Sequence, residues 1–273
     1  MIRIILMLGL IISVVGCSSA NSNSGPRPHT LSNDPIPKPA DIKLVNWGKV
    51  EVKQVTISRS QRFGSVNPSV LGTFTKQADI ARFVQAFRKA VKIEGKLDIA
   101  RPEYDLTFAT EAGQETFHIW IGLSKGAKGL YTYVADTGTG YTMAAEDTDY
   151  LRELIGMMPY TSEQAESNGD VVNVHGKIIN SANWTRFLEK MEQGTPSDVQ
   201  ITSYTIEGDP IFQDLFFDGQ AIRYTYDNTM DHFGSPNRLT TYCKNLEQEE
   251  GRFTLSKCDS EIPSFSFTPN AGG

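Results

Sequence analysis

The 273-residue chain has few histidines and cysteines, four of the first and three of the second. Much enzyme and metal chemistry depends on these two residue types. The chain also lacks the G-x-S-x-G, H-E-x-x-H, P-loop and Rossmann glycine motifs. The common classes of hydrolase, metalloprotease and nucleotide-binding protein are therefore without support in the sequence. Basic residues are not in excess, because 26 Lys and Arg stand against 32 Asp and Glu, a net charge of −6. This balance excludes a nucleic acid as partner.

The start of the chain has the pattern of an export signal. An apolar run from Ile4 to Val15 follows Arg3 and is too short to cross a bilayer comfortably. The four residues that end at Cys17 resemble the lipobox of bacterial lipoproteins. The resemblance implies that residues 1–16 are a signal peptide and that the Cys17 thiol carries a diacylglycerol anchor, with palmitate as a typical acyl chain. An uncleaved membrane helix and a cleaved, soluble export signal are the alternatives.

Residues 17–40 are rich in serine and proline and have almost nothing to bury, which predicts a disordered tether. Together with the export signal, the tether predicts a protein on the outer face of the cell membrane. We expect its partners to be the membrane, reached through the lipid, and an unidentified envelope protein or ligand. No cofactor is predicted.

The two remaining cysteines, Cys243 and Cys258, are candidates for a disulfide, which export permits. They lie in two predicted strands that meet at Glu250 and Gly251. If those two residues form the loop, Cys243 faces Cys258 across the hairpin. A three-residue loop would instead leave the cysteines diagonal, and two reduced, buried thiols are a further alternative. Two cysteines without nearby histidines are a weak metal site.

The pattern of apolar residues predicts an α+β protein with two small domains, at residues 41–158 and 168–262, joined by a short polar segment. Each is expected to be a mainly antiparallel sheet with one or two helices packed on one face, because hairpin turns connect most of the strands. Apolar residues at helical spacing predict one helix from about residue 76 and another over residues 182–192. Residues 263–273 are predicted to be a disordered tail.

Six segments of the sequence carry a resemblance to known families: Leu71 to Phe74, Pro102 to Leu106, Phe117 to Gly122, His175 to Ile178, Ser203 to Leu215 and Tyr224 to Gly234. Through these segments, both predicted domains resemble families of secreted lipoproteins. The first is similar to the YhfM-like domain, and the other resembles a domain of unknown function found in lipoproteins of Bacillus-type bacteria. The resemblance implies a cell-surface lipoprotein of a Gram-positive bacterium, and neither family has a described activity.

His118 is a weak candidate for a catalytic residue. It alternates with Trp120 on one predicted strand, so both side chains point to the same face and could line a pocket. Asp105 and Glu103 could orient the imidazole, as a hydrolase would require. A half-exposed sheet position explains the same residues without any catalysis.

Asp227, Asp231 and His232 are a weak candidate for a divalent cation site. They belong to the densest group of oxygen ligands in the chain, but the group is scattered over several turns and lacks a calcium-loop motif. Tyr224 and Tyr226 are a weak candidate for a docking surface, provided that they face outward. We therefore expect a lipid-anchored, non-enzymatic binding module, with an envelope hydrolase or a cation-binding accessory lipoprotein as alternatives.

Overall fold

Residues 50–261 and 263–269 are described by the computed structural model. The predicted signal peptide, Cys17 and the predicted tether lie outside these residues. Within them, none of the helices combines the length and the apolar character that a membrane span needs.

The first part of the fold is a sheet of seven antiparallel strands in the order β2-β1-β4-β5-β6-β7-β3. Its strands alternate inward and outward side chains, and their inward residues form the first core. The strands are β1 (Val52–Arg59), β2 (Val70–Phe74), β3 (Val91–Lys92), β4 (Tyr104–Thr110), β5 (Gly113–Trp120), β6 (Leu130–Tyr133) and β7 (Asp136–Thr142).

Two helices contribute to the core of this sheet. Helix α1 (Gln77–Lys89) buries Ile80, Phe83 and Phe87, which lie at helical spacing on one stripe. Helix α2 (Ala145–Gly156) contacts α1 and buries Leu151 among other residues. The predicted first helix is therefore present.

The segment predicted as a short polar joint is itself a helix, α3 (Ser162–Asn168). The Thr161 hydroxyl accepts a hydrogen bond from the backbone N–H of Gln164, which caps the start of the helix. Gly169, with φ of 87°, ends it in the left-handed conformation. Ala165 is fully buried, so the joint is a packed element of the fold.

The second part of the fold is a sheet of eight strands in the order β15-β14-β13-β12-β11-β10-β8-β9. All its pairs are antiparallel except β8 with β10, which are parallel and are separated in the chain by β9 and helix α4 (Ser181–Glu192). Trp184 and Phe187 of α4 are buried in the second core. The strands are β8 (Val171–Val174), β9 (Lys177–Ile179), β10 (Ser197–Tyr204), β11 (Pro210–Phe217), β12 (Ile222–Asp227), β13 (Arg238–Glu249), β14 (Arg252–Cys258) and β15 (Ser266–Phe267). The predicted α+β class is confirmed.

The hairpin of β13 and β14 has the two-residue loop considered above. Glu250 and Gly251 have φ of 49° and 79°, as a turn with two left-handed residues requires. Glu249 consequently pairs with Arg252, and the same register pairs Cys243 with Cys258. The two cysteines form a disulfide.

The prediction of a disordered tail is wrong for residues 263–269. Phe265 and Phe267 flank the exposed Ser266, and both rings pack on Trp184, with ring centroids 6.0 and 5.0 Å away. Ser266 and Phe267 form the edge strand β15 against β14. Burial of two aromatic side chains outweighs the cost of ordering so short a segment.

The two sheets belong to one compact unit. Val172, Phe212 and Met230, which follow the joint, pack in the same apolar cluster as the core of the first sheet. The ring of Phe212 lies 5.4 Å from that of Tyr160. A polar cleft lies elsewhere along the contact between the sheets.

Candidate functional site

The cleft is lined by four arginines, Arg59, Arg101, Arg223 and Arg238, and we refer to it as the arginine cleft. It has a volume of about 370 Å³. Arg59 is the last residue of β1 and Arg101 precedes β4, so both come from the first sheet. Arg223 on β12 and Arg238 at the start of β13 come from the second.

Arg59 crosses from the first sheet to acids of the second. Its Nη1 and Nη2 lie 2.9 Å from the two carboxylate oxygens of Asp214. Nη2 is also 3.0 Å from Oδ2 of Asp227, and Nη1 donates to the Gln200 side chain at 2.9 Å. The guanidinium lies over the ring of Phe212, 4.1 Å from its centroid. The donors of this arginine are therefore directed at partners on the opposite sheet.

Arg238 makes the reverse connection, from the second sheet to the first. Its Nη1 lies 3.0 Å from Oε2 of Glu103, and its guanidinium lies 4.8 Å from the ring centroid of Tyr104, whose hydroxyl accepts from Nη2. Its Nε donates to Oδ2 of Asp227 at 2.8 Å. Asp227 thus receives one arginine from each sheet.

Electrostatics keep these groups ionised. Burial alone would raise the pKa of Asp227, but Arg238 and Arg59 outweigh it and hold that pKa well below the usual range. Burial likewise opposes the charge of each arginine, yet the pKa of Arg59 is raised by Asp214 and Asp227, and that of Arg238 chiefly by Asp227. The three groups form a mutually compensated network.

Arg101 and Arg223 have no such compensation. Neither forms an ion pair with any residue in the part of the chain that the structure describes. Arg101 donates to the backbone carbonyl of Ser60 at 2.9 Å and to the Thr225 hydroxyl at 3.3 Å. Arg223 donates to the backbone carbonyl of Gln61 at 3.3 Å. Both guanidiniums rest on neutral acceptors.

The charge of these two arginines is energetically disfavoured. Burial lowers the pKa of Arg101 to about 10, and the neighbouring charge of Arg223 contributes to the decrease. Burial also lowers the pKa of Arg223. The cleft contains four guanidiniums but three carboxylates, those of Glu103, Asp214 and Asp227, so it has a net positive charge in a protein of net charge −6.

The hydroxyl of Ser60 is a further buried polar group without a partner in the part of the chain that the structure describes. Ser60 is a buried residue in the wall of the cleft, and its Oγ has no hydrogen-bond partner among the described residues. A buried hydroxyl without a partner costs about 1–3 kcal/mol.

The predicted partners His118 and Asp105 do lie together, but in the interior. They are opposite each other on β5 and β4, and Nδ1 of His118 is 2.7 Å from Oδ1 of Asp105. His118 is 0% exposed. Its Nε2 accepts from the backbone N–H of Gly64 at 3.0 Å, and Oδ2 of Asp105 accepts from that of Asn67 at 2.8 Å. The pair therefore holds the loop between β1 and β2 rather than facing a substrate.

The other residues of the predicted pocket have different roles. Glu103 pairs with Arg238 and accepts hydrogen bonds from the backbone N–H groups of Ile121 and Gly122, so it does not orient His118. Trp120 lines the arginine cleft, as a pocket residue should, and its Nε1 donates to the backbone carbonyl of Ala100 at 2.9 Å.

The predicted cation ligands are not brought together. Asp227 is occupied by the two arginines, whereas Oδ1 of Asp231 accepts from the backbone N–H groups of Phe233 and Gly234 in a turn. Nδ1 of His232 lies 3.0 Å from Oδ1 of Asp209. Across the described residues, no group of three or more His, Cys, Asp or Glu is arranged to hold a metal ion.

The predicted outward docking surface of Tyr224 and Tyr226 is wrong, because that face of β12 turns inward. Tyr224 is buried, with its ring 5.5 Å from that of Phe265, and Tyr226 packs on the same core. The alternate residues of the strand, Arg223, Thr225 and Asp227, line the cleft instead. The alternation of polar and aromatic residues on this strand was a signal that could have indicated the site.

Comparisons with known proteins agree with the two-part layout. Residues 48–158 match the family model described as YhfM protein, and residues 168–254 match a domain of unknown function, DUF4362. Neither description names an activity. No curated protein matches the chain. Among solved structures, the chain is similar to a thioesterase-like protein from Clostridium sporogenes, with 16% sequence identity and a TM-score of 0.33. The match covers 39% of this chain and 94% of the other chain.

Proposed function

We propose that this protein is a non-enzymatic binding protein of a Gram-positive, Bacillus-type cell envelope, held on the outer face of the membrane by a lipid on Cys17. Its ligand is a small anion that occupies the arginine cleft. The observation that carries this proposal is that Arg101 and Arg223 face the cleft without a carboxylate partner.

An anion would complete the contacts that these arginines lack. A guanidinium presents paired N–H donors that match the two oxygens of a carboxylate or phosphate. The negative charge would also offset the repulsion between Arg101 and Arg223, which burial strengthens.

Binding is a better interpretation than catalysis. The carboxylates of the cleft, those of Glu103, Asp214 and Asp227, are ion-paired with arginines, so none is placed to act as a general base. Both ring nitrogens of the buried His118 are engaged within the protein. The three residues of the hydrolase alternative, His118, Asp105 and Glu103, are therefore all engaged within the protein.

Calorimetry on the full chain in mild detergent tests the binding site. Inorganic phosphate and acetate, titrated at constant ionic strength and pH 7.5, are expected to bind the unaltered protein. Arg101→Met and Arg223→Met should each abolish the binding heat, whereas Arg88→Met, which removes an exposed arginine on α1, should preserve it. Absence of binding by both anions, or equal binding by all three variants, would refute the proposed site.

Fractionation of a Gram-positive host tests the anchor. The unaltered chain is expected in the membrane fraction and should incorporate a clickable palmitate analogue. Cys17→Ser should lose the label and leave the membrane fraction. An unlabelled native chain would contradict the proposed lipid anchor without affecting the binding site.

A further inference from the structure

Another pocket adjoins the arginine cleft and shares two of its residues. Arg101 and Arg223 line both cavities and so form a wall common to them. This adjoining pocket has a volume of about 290 Å³, and Phe63 and Phe216 contribute to its largely apolar surface. We refer to it as the phenylalanine pocket. A ligand anion at the shared wall would therefore have an apolar cavity beside it.

The two phenylalanines differ in how they are held. Phe216 is half-buried on β11, and the guanidinium of Arg223 lies 4.8 Å from its ring centroid. Phe63 is 40% exposed, on the loop that follows β1. Its ring centroid lies 5.9 Å from that of His118 and 6.0 Å from that of Trp120. The pocket thus combines aromatic rings with cations, a setting that favours another aromatic group.

The buried pair of His118 and Asp105 positions one wall of this pocket. Nε2 of His118 accepts from the N–H of Gly64, the residue directly after Phe63, and Asp105 accepts from the N–H of Asn67. The loop that carries Phe63 is therefore fixed at two backbone points. A fixed aromatic wall lowers the cost of ordering the site when a ligand binds.

One acid, Asp198, also lines the phenylalanine pocket. Its carboxylate accepts from the Gln61 side chain at 3.5 Å, in an exposed position. It is the smallest of the three influences that raise the pKa of Arg223, and burial outweighs all of them. The acid therefore does not compensate the charge at the shared wall.

We infer that the ligand is an anion bearing an aromatic ring, with its carboxylate or phosphate at Arg101 and Arg223 and its ring in the phenylalanine pocket between Phe63 and Phe216. This inference rests on the proposed anion-binding function. The two cavities, of about 370 and about 290 Å³, are together within the size range of small-molecule sites, about 300–1,000 Å³.

Matched pairs of anions test the inference by calorimetry on the full chain. Phenyl phosphate is compared with inorganic phosphate, and phenylacetate with acetate, at constant ionic strength. We expect the aromatic member of the preferred pair to bind about tenfold more tightly, because the ring adds apolar burial and ring contacts. Which pair binds more tightly identifies the anionic group as phosphate or carboxylate.

Variants of the pocket separate the ring from the charge. Phe63→Ala should reduce phenyl phosphate affinity about tenfold and leave inorganic phosphate affinity unchanged. Phe216→Leu, which keeps an apolar side chain in the sheet, should act in the same direction. Phe233→Ala, at a phenylalanine that is 77% exposed, is the matched control and should change neither affinity.

The outcomes distinguish this inference from the proposed function. If phosphate or acetate binds but the aromatic members bind no more tightly, the inference is overturned and the anion site stands. If the aromatic anions bind equally well after Arg101→Met, the ring binds without the arginines and the inference also fails. If neither phosphate nor acetate binds, the proposed function itself fails, and the inference fails with it.

Discussion

The arginine cleft contains two pairs of arginines that share a cavity and differ in their partners. Arg59 and Arg238 each form an ion pair with a carboxylate from the opposite sheet, and all their ion pairs, including that of Arg238 with Asp227 in its own sheet, have N–O distances of 2.8–3.0 Å. Arg101 and Arg223 end on neutral oxygens, and burial lowers the pKa of both. The compensated pair joins the two sheets, whereas the uncompensated pair has capacity for a ligand.

The difference separates stability from binding within one cluster. An arginine whose N–H donors are all directed at carboxylates of the protein has no donor available for a ligand. Replacing it, or its acid, leaves a buried charge without its partner and so lowers the stability of the fold. A buried charge without a partner is a cost to the folded protein that a ligand can remove. Binding sites commonly lower stability in this way.

The largest effect is expected from Asp227→Asn. The change removes the carboxylate that both Arg59 and Arg238 contact and leaves two buried guanidiniums under-compensated. We expect the free energy of unfolding to fall by about 3–5 kcal/mol. Urea unfolding followed by tryptophan fluorescence measures it. Glu111→Gln, in the exposed pair with Lys53, is the control and should leave the midpoint unchanged. Equal midpoints for both variants would contradict a stabilising role for the network.

Removal of the disulfide should have the next largest effect. The bond closes a loop of 15 residues, and its replacement by Cys243→Ala with Cys258→Ala should cost about 3 kcal/mol. Both pairs of arginines keep their partners in this variant. Calorimetry well below the melting temperature should therefore give the native affinity for phosphate, and a large loss of affinity would show that binding depends on global stability.

Acid should weaken the compensated pair selectively. Asp227 has a lower pKa in the folded protein than the value of about 3.9 expected in an unfolded chain. Its stabilising contribution is therefore present above about pH 4 and is lost as the pH falls through the folded-state pKa. Unfolding free energies measured from pH 6 to pH 2 should decline less in Asp227→Asn than in the native protein.

Asp170 provides the comparison for the acid experiment. Burial raises its pKa although Thr202, Tyr160 and Gln200 donate to it, so the folded state takes up a proton first as the pH falls. Its contribution has the opposite sign, and Asp170→Asn should not reduce the acid-induced loss. A reduction as large as in Asp227→Asn would contradict the assigned origin of that loss.

The smallest effect on stability is expected from the uncompensated pair. Arg101→Met removes a buried charge that has no carboxylate partner and keeps an apolar side chain of similar length. The free energy of unfolding should stay the same or rise by about 0.5–1 kcal/mol. The same urea titration measures it, and a loss comparable to that of Asp227→Asn would erase the distinction between the two pairs.

Local patterns were sufficient to predict much of the fold. The loop at Glu250 and Gly251 gave the correct hairpin register, and the spacing of Ile80, Phe83 and Phe87 indicated the first helix. The proximity of Asp105 and His118 was also predictable, because one hairpin joins their strands. Their complete burial was not, since it depends on how the loop between β1 and β2 covers them.

The arginine cleft as a whole could not be predicted from the same patterns, because the alternation on β12 indicates only one of its walls. Arg59 is 155 residues from Asp214 and 168 from Asp227, and no short-range periodicity relates them. The packing of one sheet on the other brings them together. On β12, aromatic and polar residues alternate, so the pattern separates the two faces of the strand, but only this packing brings the face that carries Arg223 and Asp227 against Arg59 of the first sheet.

The ion pairs of Arg59 and Arg238 across the two sheets limit how the chain can be divided. Each half of the fold places an arginine among the acids of the other. A fragment that ended at the joint would expose Arg59 without Asp214, and the remaining fragment would leave Arg238 without Glu103. The two stretches that match separate family models are therefore not interchangeable modules, and neither half is expected to be stable without the other.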